Sequence, residues 1–101
     1  MLFRSIFGGQ YMAPDRIDLR WISAILTKNG AIEETGVTAA VLGHPANSVA
    51  VLANMLAADG LGLVKGDVVL TGSFTRQVYV QAGDVIHADF GPLGAFAVSF
   101  V

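Results

Sequence analysis

The chain has 101 residues, with six Lys plus Arg against eight Asp plus Glu, a formal net charge of −2 and no cysteine. A chain of this length forms one domain at most, or part of one. The near-neutral balance excludes a strongly basic nucleic-acid surface, and the lack of cysteine excludes disulfides and Cys-ligated metals. This composition is compatible with a reducing cytosol, so we expect a cytoplasmic protein with no nucleic-acid partner.

The apolar fraction is unusually high for a small domain. Hydrophobic residues make up 53% of the chain and charged residues 14%, whereas a typical soluble domain has about 25% charged residues. A membrane does not account for the excess, because the longest uncharged stretch, residues 35–58, is interrupted by Gly, Pro, His and Asn. We expect its apolar faces to be covered by the remainder of its own domain or by other copies in a homo-oligomer.

The first regular elements are predicted to be a β-hairpin followed by a helix. Asn29-Gly30 separates two strand-like runs, at 19–28 and 31–36, and favours a two-residue type I′ turn because both residues need positive φ. Pro45 near the start and Gly60 just past the end of the next apolar run predict a helix. Because this segment is apolar on most sides, we expect a buried helix.

The second half of the chain is predicted to be strands, at about 67–72, 75–81, 84–90 and 95–101. A Gly-Asp-Val sequence occurs at 66–68 and again at 83–85, and each Asp is expected to bond backbone N–H groups in a turn. The pattern predicts an α+β, mainly β fold of antiparallel hairpins packed with one buried helix. Apolar residues on both faces of some strands indicate a sheet that is covered on both sides.

Few polar residues have the spacing of a catalytic or metal site. Glu33 and Glu34 are adjacent, so in a strand they point to opposite faces and cannot chelate one ion together. His87 and Asp89 share one strand face, which allows a metal or acid–base pair but is more often a solvent-facing or hydrogen-bonded polar pair. His44, just before the predicted helix, is expected to support the helix start.

One segment, Thr71-Gly72-Ser73-Phe74-Thr75, has the composition of an anion site. A glycine between hydroxyl residues lets backbone N–H groups approach an anion closely. A serine in such a position is nevertheless more often part of a turn. The chain has no Gly-x-Ser-x-Gly sequence, phosphate loop or dinucleotide fingerprint, so these residues alone do not identify a function.

Several segments together resemble the C-terminal part of the 2-keto-4-pentenoate hydratase / 4-oxalocrotonate decarboxylase family, a branch of the fumarylacetoacetate hydrolase superfamily. The matching segments are 18–21, 28–36, 43–54, 66–76 and 87–94. The resemblance implies part of a fumarylacetoacetate-hydrolase-like mixed β fold. It also implies that residues 1–101 are a single C-terminal fragment of a larger catalytic domain.

The same resemblance implies a small-molecule reaction. The leading interpretation is a partial hydratase-type lyase of aromatic catabolism. It would add water to a 2-hydroxy-2,4-dienoate of the 2-oxopent-4-enoate type and give a 4-hydroxy-2-oxo acid. In the family, Mg²⁺ or Mn²⁺ chelates the 2-oxo acid and stabilises the enolate-like intermediate. The alternatives are a decarboxylase of 2-oxo-3-hexenedioate (4-oxalocrotonate) and a non-catalytic packing module that lacks the metal site.

The resemblance also implies one substrate-binding turn. In related superfamily members a Thr-Gly-Thr or Ser-Gly-Thr turn lines the pocket for the substrate carboxylate. Ser73 is therefore expected to bind that carboxylate, with Gly72 and Thr75 beside it. The family's metal-binding Glu-x-Glu pair, a further acid and the proton-transfer residues lie upstream of the matching region. This chain has no Glu-x-Glu, so we expect no metal ligands within it and name no catalytic residue.

Overall fold

The computed structural model describes residues 5–101. Within them the regular elements are β1 (Ser23–Lys28), β2 (Ala31–Val37), α1 (Pro45–Ala58), β3 (Val85–Asp89) and β4 (Ala95–Ser99). The strands form one antiparallel sheet in the order β2-β1-β3-β4. The predicted α+β, mainly β fold is confirmed.

The β1–β2 connection is the turn that the sequence predicts. Asn29 and Gly30 have φ angles of 52° and 85°, as a type I′ turn requires. Asn29 also joins this turn to the start of β3, because its backbone N–H donates to the Val85 carbonyl at 2.9 Å and its side-chain oxygen accepts from the Val85 N–H at 2.9 Å. The hairpin and the distant strand are therefore fixed to each other at this end of the sheet.

Strand β1 begins later than predicted. Leu19–Trp21 forms a 3-10 turn, and the strand starts only at Ser23. The side chain of Asp18 accepts a hydrogen bond from the Arg20 N–H at 3.2 Å and so caps this turn. The capped turn keeps β1 from extending further towards the N-terminus. The predicted strand at 19–28 is therefore wrong over its first four residues.

The predicted strands at 67–72 and 75–81 are also wrong. Within residues 5–101, no backbone–backbone hydrogen bond involves residues 68–80. A strand exists only where a neighbouring strand accepts and donates its backbone bonds, and the described part of the chain offers this segment no such neighbour. Several of its apolar side chains are correspondingly exposed, with Val68 at 69% and Leu70 at 73%.

Helix α1 has the predicted bounds but not the predicted burial. It runs from Pro45 to Ala58 and contains no buried residue. Met55, for example, is 65% exposed. A helix becomes buried only when a second layer covers its outer face, and residues 5–101 place no such layer there. The expected buried helix is therefore a helix with open apolar sides.

Only one face of the sheet contributes to the core. The buried residues are Ile22, Ala24, Thr38, Val41 and Ala88. Along β1 and β3 they alternate with exposed neighbours, as expected when one face is covered. The expectation of a sheet covered on both sides does not hold within residues 5–101.

The apolar segment Thr38–Ala58 is long and apolar enough, by length and composition, to cross a membrane. The continuous α-helix within it has 14 residues, or about 21 Å at 1.5 Å per residue. A bilayer core is about 30 Å thick. Positive φ angles at Leu42 and Gly43 separate α1 from the preceding turn, so the helix that forms here is too short to span a bilayer.

Candidate functional site

The predicted substrate-binding turn lines a cavity of about 250 Å³ against the covered face of the sheet. Gly72, Ser73 and Thr75 all contribute to it. The opposite walls come from β1 and from the end of β3, through Ala24, Leu26 and Phe90. The fold thus brings the predicted residues together with apolar side chains that are distant in sequence.

A glycine in β2 allows the turn to lie against the sheet. Gly36 pairs with Ala24 across the β1–β2 ladder. A Cβ atom at Gly36 would overlap the backbone carbonyl of Phe74. A single glycine inside a strand commonly marks such a close approach of another backbone, so Gly36 is the sequence feature from which this contact could be predicted.

The Ser73 hydroxyl is engaged within its own turn. It donates to the Thr75 carbonyl at 2.9 Å and accepts from the Thr75 N–H at 3.3 Å. This is the turn role that such a serine most often has. A hydroxyl has one proton, so Ser73 can donate to a bound carboxylate only if that proton rotates away from the Thr75 carbonyl.

Backbone donors are also available at this turn. Within residues 5–101, the N–H groups of Gly72, Ser73 and Phe74 donate to no protein acceptor. Gly72 has φ of 104°, which a residue with a side chain rarely adopts. Successive free N–H groups beside such a glycine are a common way to hold an anionic oxygen.

Two aromatic rings, Phe74 and Phe90, complete the cavity wall beside Ala24 and Leu26. The Phe74 and Phe90 rings meet edge to face at 6.4 Å, and the Phe90 and Phe96 rings stack at 6.1 Å. Ring pairs in these arrangements are attractive and rigid. The site therefore combines hydrogen-bond donors at one end with an apolar wall, which suits a small carboxylate on a planar or apolar chain.

The other polar candidates have structural roles. His44 caps α1, because its Nδ1 accepts from the Ala46 N–H at 3.0 Å. Asp67 and Asp84 accept from backbone N–H groups three residues earlier, at 2.9 and 3.0 Å. The predictions for His44 and for the two Gly-Asp turns are confirmed.

His87 and Asp89 lie on the open face of the sheet, away from the cavity. Asp89 accepts from the Gly91 N–H at 2.8 Å and so supports the β3–β4 turn. His87 lies opposite Thr27 and is exposed. The hydrogen-bonded role is thus the one that Asp89 has here.

The acidic pair in β2 is separated by a β-bulge. The register shifts between Leu26 and Thr27, which leaves Glu33 as an extra residue, so simple strand alternation does not apply there. Glu33 lies 3.7 Å from the Lys28 ammonium, and Glu34 pairs with Leu26. The two carboxylates have different neighbours.

Metal ligands do not cluster in the described part of the chain. No group of three or more His, Asp or Glu side chains among residues 5–101 could hold an ion. Mg²⁺ is normally held by carboxylates together with water or substrate oxygens. These residues therefore do not fit a Mg²⁺ or Mn²⁺ site by themselves.

Comparison with known proteins gives a consistent result. A family described as fumarylacetoacetate (FAA) hydrolase C-terminal matches residues 7–101. The 2-oxo-hept-4-ene-1,7-dioate hydratase of Escherichia coli is 53% identical over 96 residues, which are 95% of this chain and 36% of that protein. The 4-oxalocrotonate decarboxylase of Pseudomonas putida is 42% identical over 98 residues, which are 97% of this chain and 37% of that protein.

Solved structures agree with the sequence relatives. The 4-oxalocrotonate decarboxylase from Pseudomonas putida G7, complexed with magnesium and adipate, matches with a TM-score of 0.88 and 40% identity over 93% of this chain and 36% of that one. Its complex with calcium and acetate matches equally well. The chain spans little more than a third of the length of these relatives.

Proposed function

The chain belongs to the fumarylacetoacetate hydrolase C-terminal family, and on that premise we propose that it forms the substrate-carboxylate part of a hydratase-type lyase. The reaction adds water to a 2-hydroxy-2,4-dienoate and gives a 4-hydroxy-2-oxo acid, as in the breakdown of aromatic compounds. The observation that carries the proposal is the cavity in which Gly72, Ser73 and Thr75 face an apolar wall. The 53% identity to the E. coli 2-oxo-hept-4-ene-1,7-dioate hydratase, against 42% to the P. putida decarboxylase, supports hydration as the reaction.

In this proposal the residues of the chain bind and orient the substrate. The free N–H groups of the 72–74 segment and the Ser73 hydroxyl donate to the carboxylate, while the carbon chain lies along Phe74 and Phe90. Charged acceptors make such hydrogen bonds stronger than neutral ones. The divalent cation and the groups that move protons would come from outside residues 5–101, because those residues hold no cluster of ligands.

We also propose that residues 1–101 are a C-terminal fragment of a larger catalytic domain. The chain matches little more than a third of its relatives' length. In the part described, helix α1 has no buried residue, and residues 68–80 form no backbone–backbone hydrogen bonds. The rest of the domain, or other copies of the chain, would cover the helix and pair with the open segment.

A decarboxylase is the second candidate. The structural match to 4-oxalocrotonate decarboxylase, with a TM-score of 0.88 at 40% identity, favours it. The cavity serves either reaction, because both substrates present a carboxylate next to a 2-oxo or 2-hydroxy carbon. Only the reaction itself separates the two.

The test is to complete the domain. Residues 7–101 are joined to the remaining portion of the E. coli hydratase in place of its matching segment, giving the complemented protein, and in a second hybrid to the corresponding portion of the P. putida decarboxylase. We expect the complemented protein to hydrate 2-hydroxypenta-2,4-dienoate in the presence of Mg²⁺, and the second hybrid to release no CO₂ from 4-oxalocrotonate. CO₂ release by the second hybrid without hydration by the first would favour the decarboxylase, and two folded but inactive hybrids would favour a non-catalytic packing module.

A further inference from the structure

Two cavities have Phe90 in their walls. One is the cavity of about 250 Å³ that contains Ser73, and the other, of about 450 Å³, lies beyond Phe90 near the start of β4. Phe90 is the residue that lines both. We propose that Phe90 is a partition that sets how long a carbon chain the Ser73 cavity accepts. This inference rests on the proposed function, because it takes Ser73 as the carboxylate end.

The Phe90 ring is held firmly enough to act as a wall. It lies between two other rings, at 6.4 Å from Phe74 and 6.1 Å from Phe96. Its backbone N–H donates to the Gly94 carbonyl at 2.9 Å, which fixes the residue at the end of β3. A ring packed on two sides and anchored through its backbone does not swing aside without losing those contacts.

The cavity beyond Phe90 has the chemistry of an apolar chain site. Besides Phe90, its lining consists of three glycines, one amide side chain, that of Gln10, and the apolar side chains of Ile6, Phe7, Leu93, Ala95 and Phe96. None of these side chains carries a charge, so the space would take methylene groups rather than a second carboxylate. A substrate held by its carboxylate at Ser73 therefore meets the ring before it reaches this space, and the methylene groups of a longer chain gain no further burial.

The experiment measures affinity against chain length. Straight-chain 2-oxo acids from 2-oxobutanoate to 2-oxooctanoate are titrated into the 101-residue chain, and binding is followed by amide chemical shifts in NMR spectra. For the unaltered chain we expect affinity to rise about fourfold with each methylene until the acid reaches Phe90, and then to level off. In Phe90→Ala the rise should continue for two further methylenes, giving more than tenfold tighter binding of the longest acid.

Matched variants separate the partition from other effects. Leu93 lines the cavity beyond Phe90 and takes part in neither ring contact of Phe90. Leu93→Ala therefore enlarges that cavity without loosening the ring, and it should keep the unaltered length profile. Phe90→Leu preserves more of the packing, and the chain length at which affinity levels off should shift by an intermediate amount. This variant replaces Phe90→Ala if Phe90→Ala does not fold. If the isolated chain self-associates, the same titration is made with the complemented protein.

The outcomes distinguish this inference from the proposed function. An unchanged length profile in folded Phe90→Ala and Phe90→Leu overturns the partition, whatever Ser73 does. If Ser73→Ala leaves every affinity unchanged while Phe90→Ala shifts the profile, the carboxylate assignment fails and the partition stands. If no acid binds to the chain or to the complemented protein, both proposals are overturned.

Discussion

Gly36 of β2 lies against the backbone carbonyl of Phe74 with no side chain between them. The contact joins the sheet directly to the turn that carries Ser73. Because the obstacle to a larger residue is backbone and not the end of a flexible side chain, the distance between strand and turn is set by the absence of a Cβ atom. Strand pairing and cavity shape are thus coupled at one residue.

Gly36→Ala should displace the turn. Overpacking of this kind costs typically about 1–3 kcal/mol, and we expect a loss of that size in the free energy of unfolding, measured by urea denaturation. The control is Gly62→Ala, because a Cβ atom at Gly62 meets nothing within 4 Å. Equal stabilities of the two variants would contradict the close approach of Gly36 and Phe74.

Stability at acid pH should depend on Asp84. The Asn29 side chain donates to the Asp84 carboxylate at 2.9 Å and the Gln81 N–H donates at 3.0 Å. These bonds, first that from Asn29, hold the pKa of Asp84 below its ordinary value of 3.8. Stabilisation from a lowered pKa is complete above the ordinary value and is lost as pH falls through the lowered one. The urea concentration at which half of the protein is unfolded should therefore fall less between pH 5 and pH 2 in Asp84→Asn than in the unaltered chain.

The control for this pH effect is Asp15→Asn. Asp15 is exposed, and its side chain accepts no hydrogen bond within residues 5–101. Its removal should leave the pH dependence of unfolding as it was. The same acid sensitivity in all three proteins would mean that the Asn29–Asp84 bond does not contribute.

Gly30→Val should destabilise the hairpin. Gly30 has φ of 85°, and a β-branched residue strongly resists positive φ. Residues held in such regions cost about 1–3 kcal/mol each, so we expect a clear fall in melting temperature. Gly30→Asn is the matched control, because Asn tolerates positive φ much better. An unchanged melting temperature for the valine variant would argue against the type I′ geometry.

Ser73→Ala in the complemented protein should raise KM for the 2-oxo or dienoic acid with little change in stability. A hydrogen bond to a charged acceptor contributes about 1.5–3 kcal/mol, or roughly 10- to 150-fold in affinity. Ser73→Thr keeps the hydroxyl and should retain much of the affinity. Unchanged steady-state kinetics in folded Ser73→Ala would remove Ser73 from the site.

Local chemistry explains which elements could be predicted from the sequence. The Asn29-Gly30 turn and the bounds of α1 depend on residues that act within a few positions of themselves, and both agree with the structure. The segment 67–81 has strand-like composition, but a strand also needs a neighbouring strand. Within residues 5–101, no other segment forms backbone hydrogen bonds with residues 68–80. Burial of α1 likewise depends on what covers it.

The candidate site was predictable only in part. Ser73 could be predicted as a carboxylate-binding residue through the family resemblance, because the matching turn is one continuous segment of sequence. Ala24 lies in β1 and Phe90 directly follows β3, and only the tertiary fold brings them to that turn. Their apolar side chains carry no chemical signal of their own, so no local pattern in the sequence assigns them to a cavity.

The 101-residue chain by itself should lack both a metal site and the reaction that depends on it. An oxygen-ligand Mg²⁺ site needs carboxylates fixed around one point, and the eight acids of this chain are dispersed. Glu33 lies beside Lys28, Asp67 and Asp84 serve turns, and Asp89 supports the β3–β4 connection. We therefore expect the 101-residue chain neither to bind Mg²⁺ at millimolar concentration nor to hydrate a 2-hydroxydienoate.

Isothermal calorimetry with MgCl₂ and a dienoate absorbance assay test this expectation, with the complemented protein as the positive control that should show both properties. The informative variant is Asp89→Asn, because Asp89 and His87 are the acid and imidazole closest in sequence that share a strand face. Stoichiometric Mg²⁺ binding by the isolated chain, abolished in Asp89→Asn and kept in Asp15→Asn, would contradict the dispersed arrangement. His87 and Asp89 would then be metal ligands, and the open face of the sheet, not the Ser73 cavity, would be the place to look for the reaction.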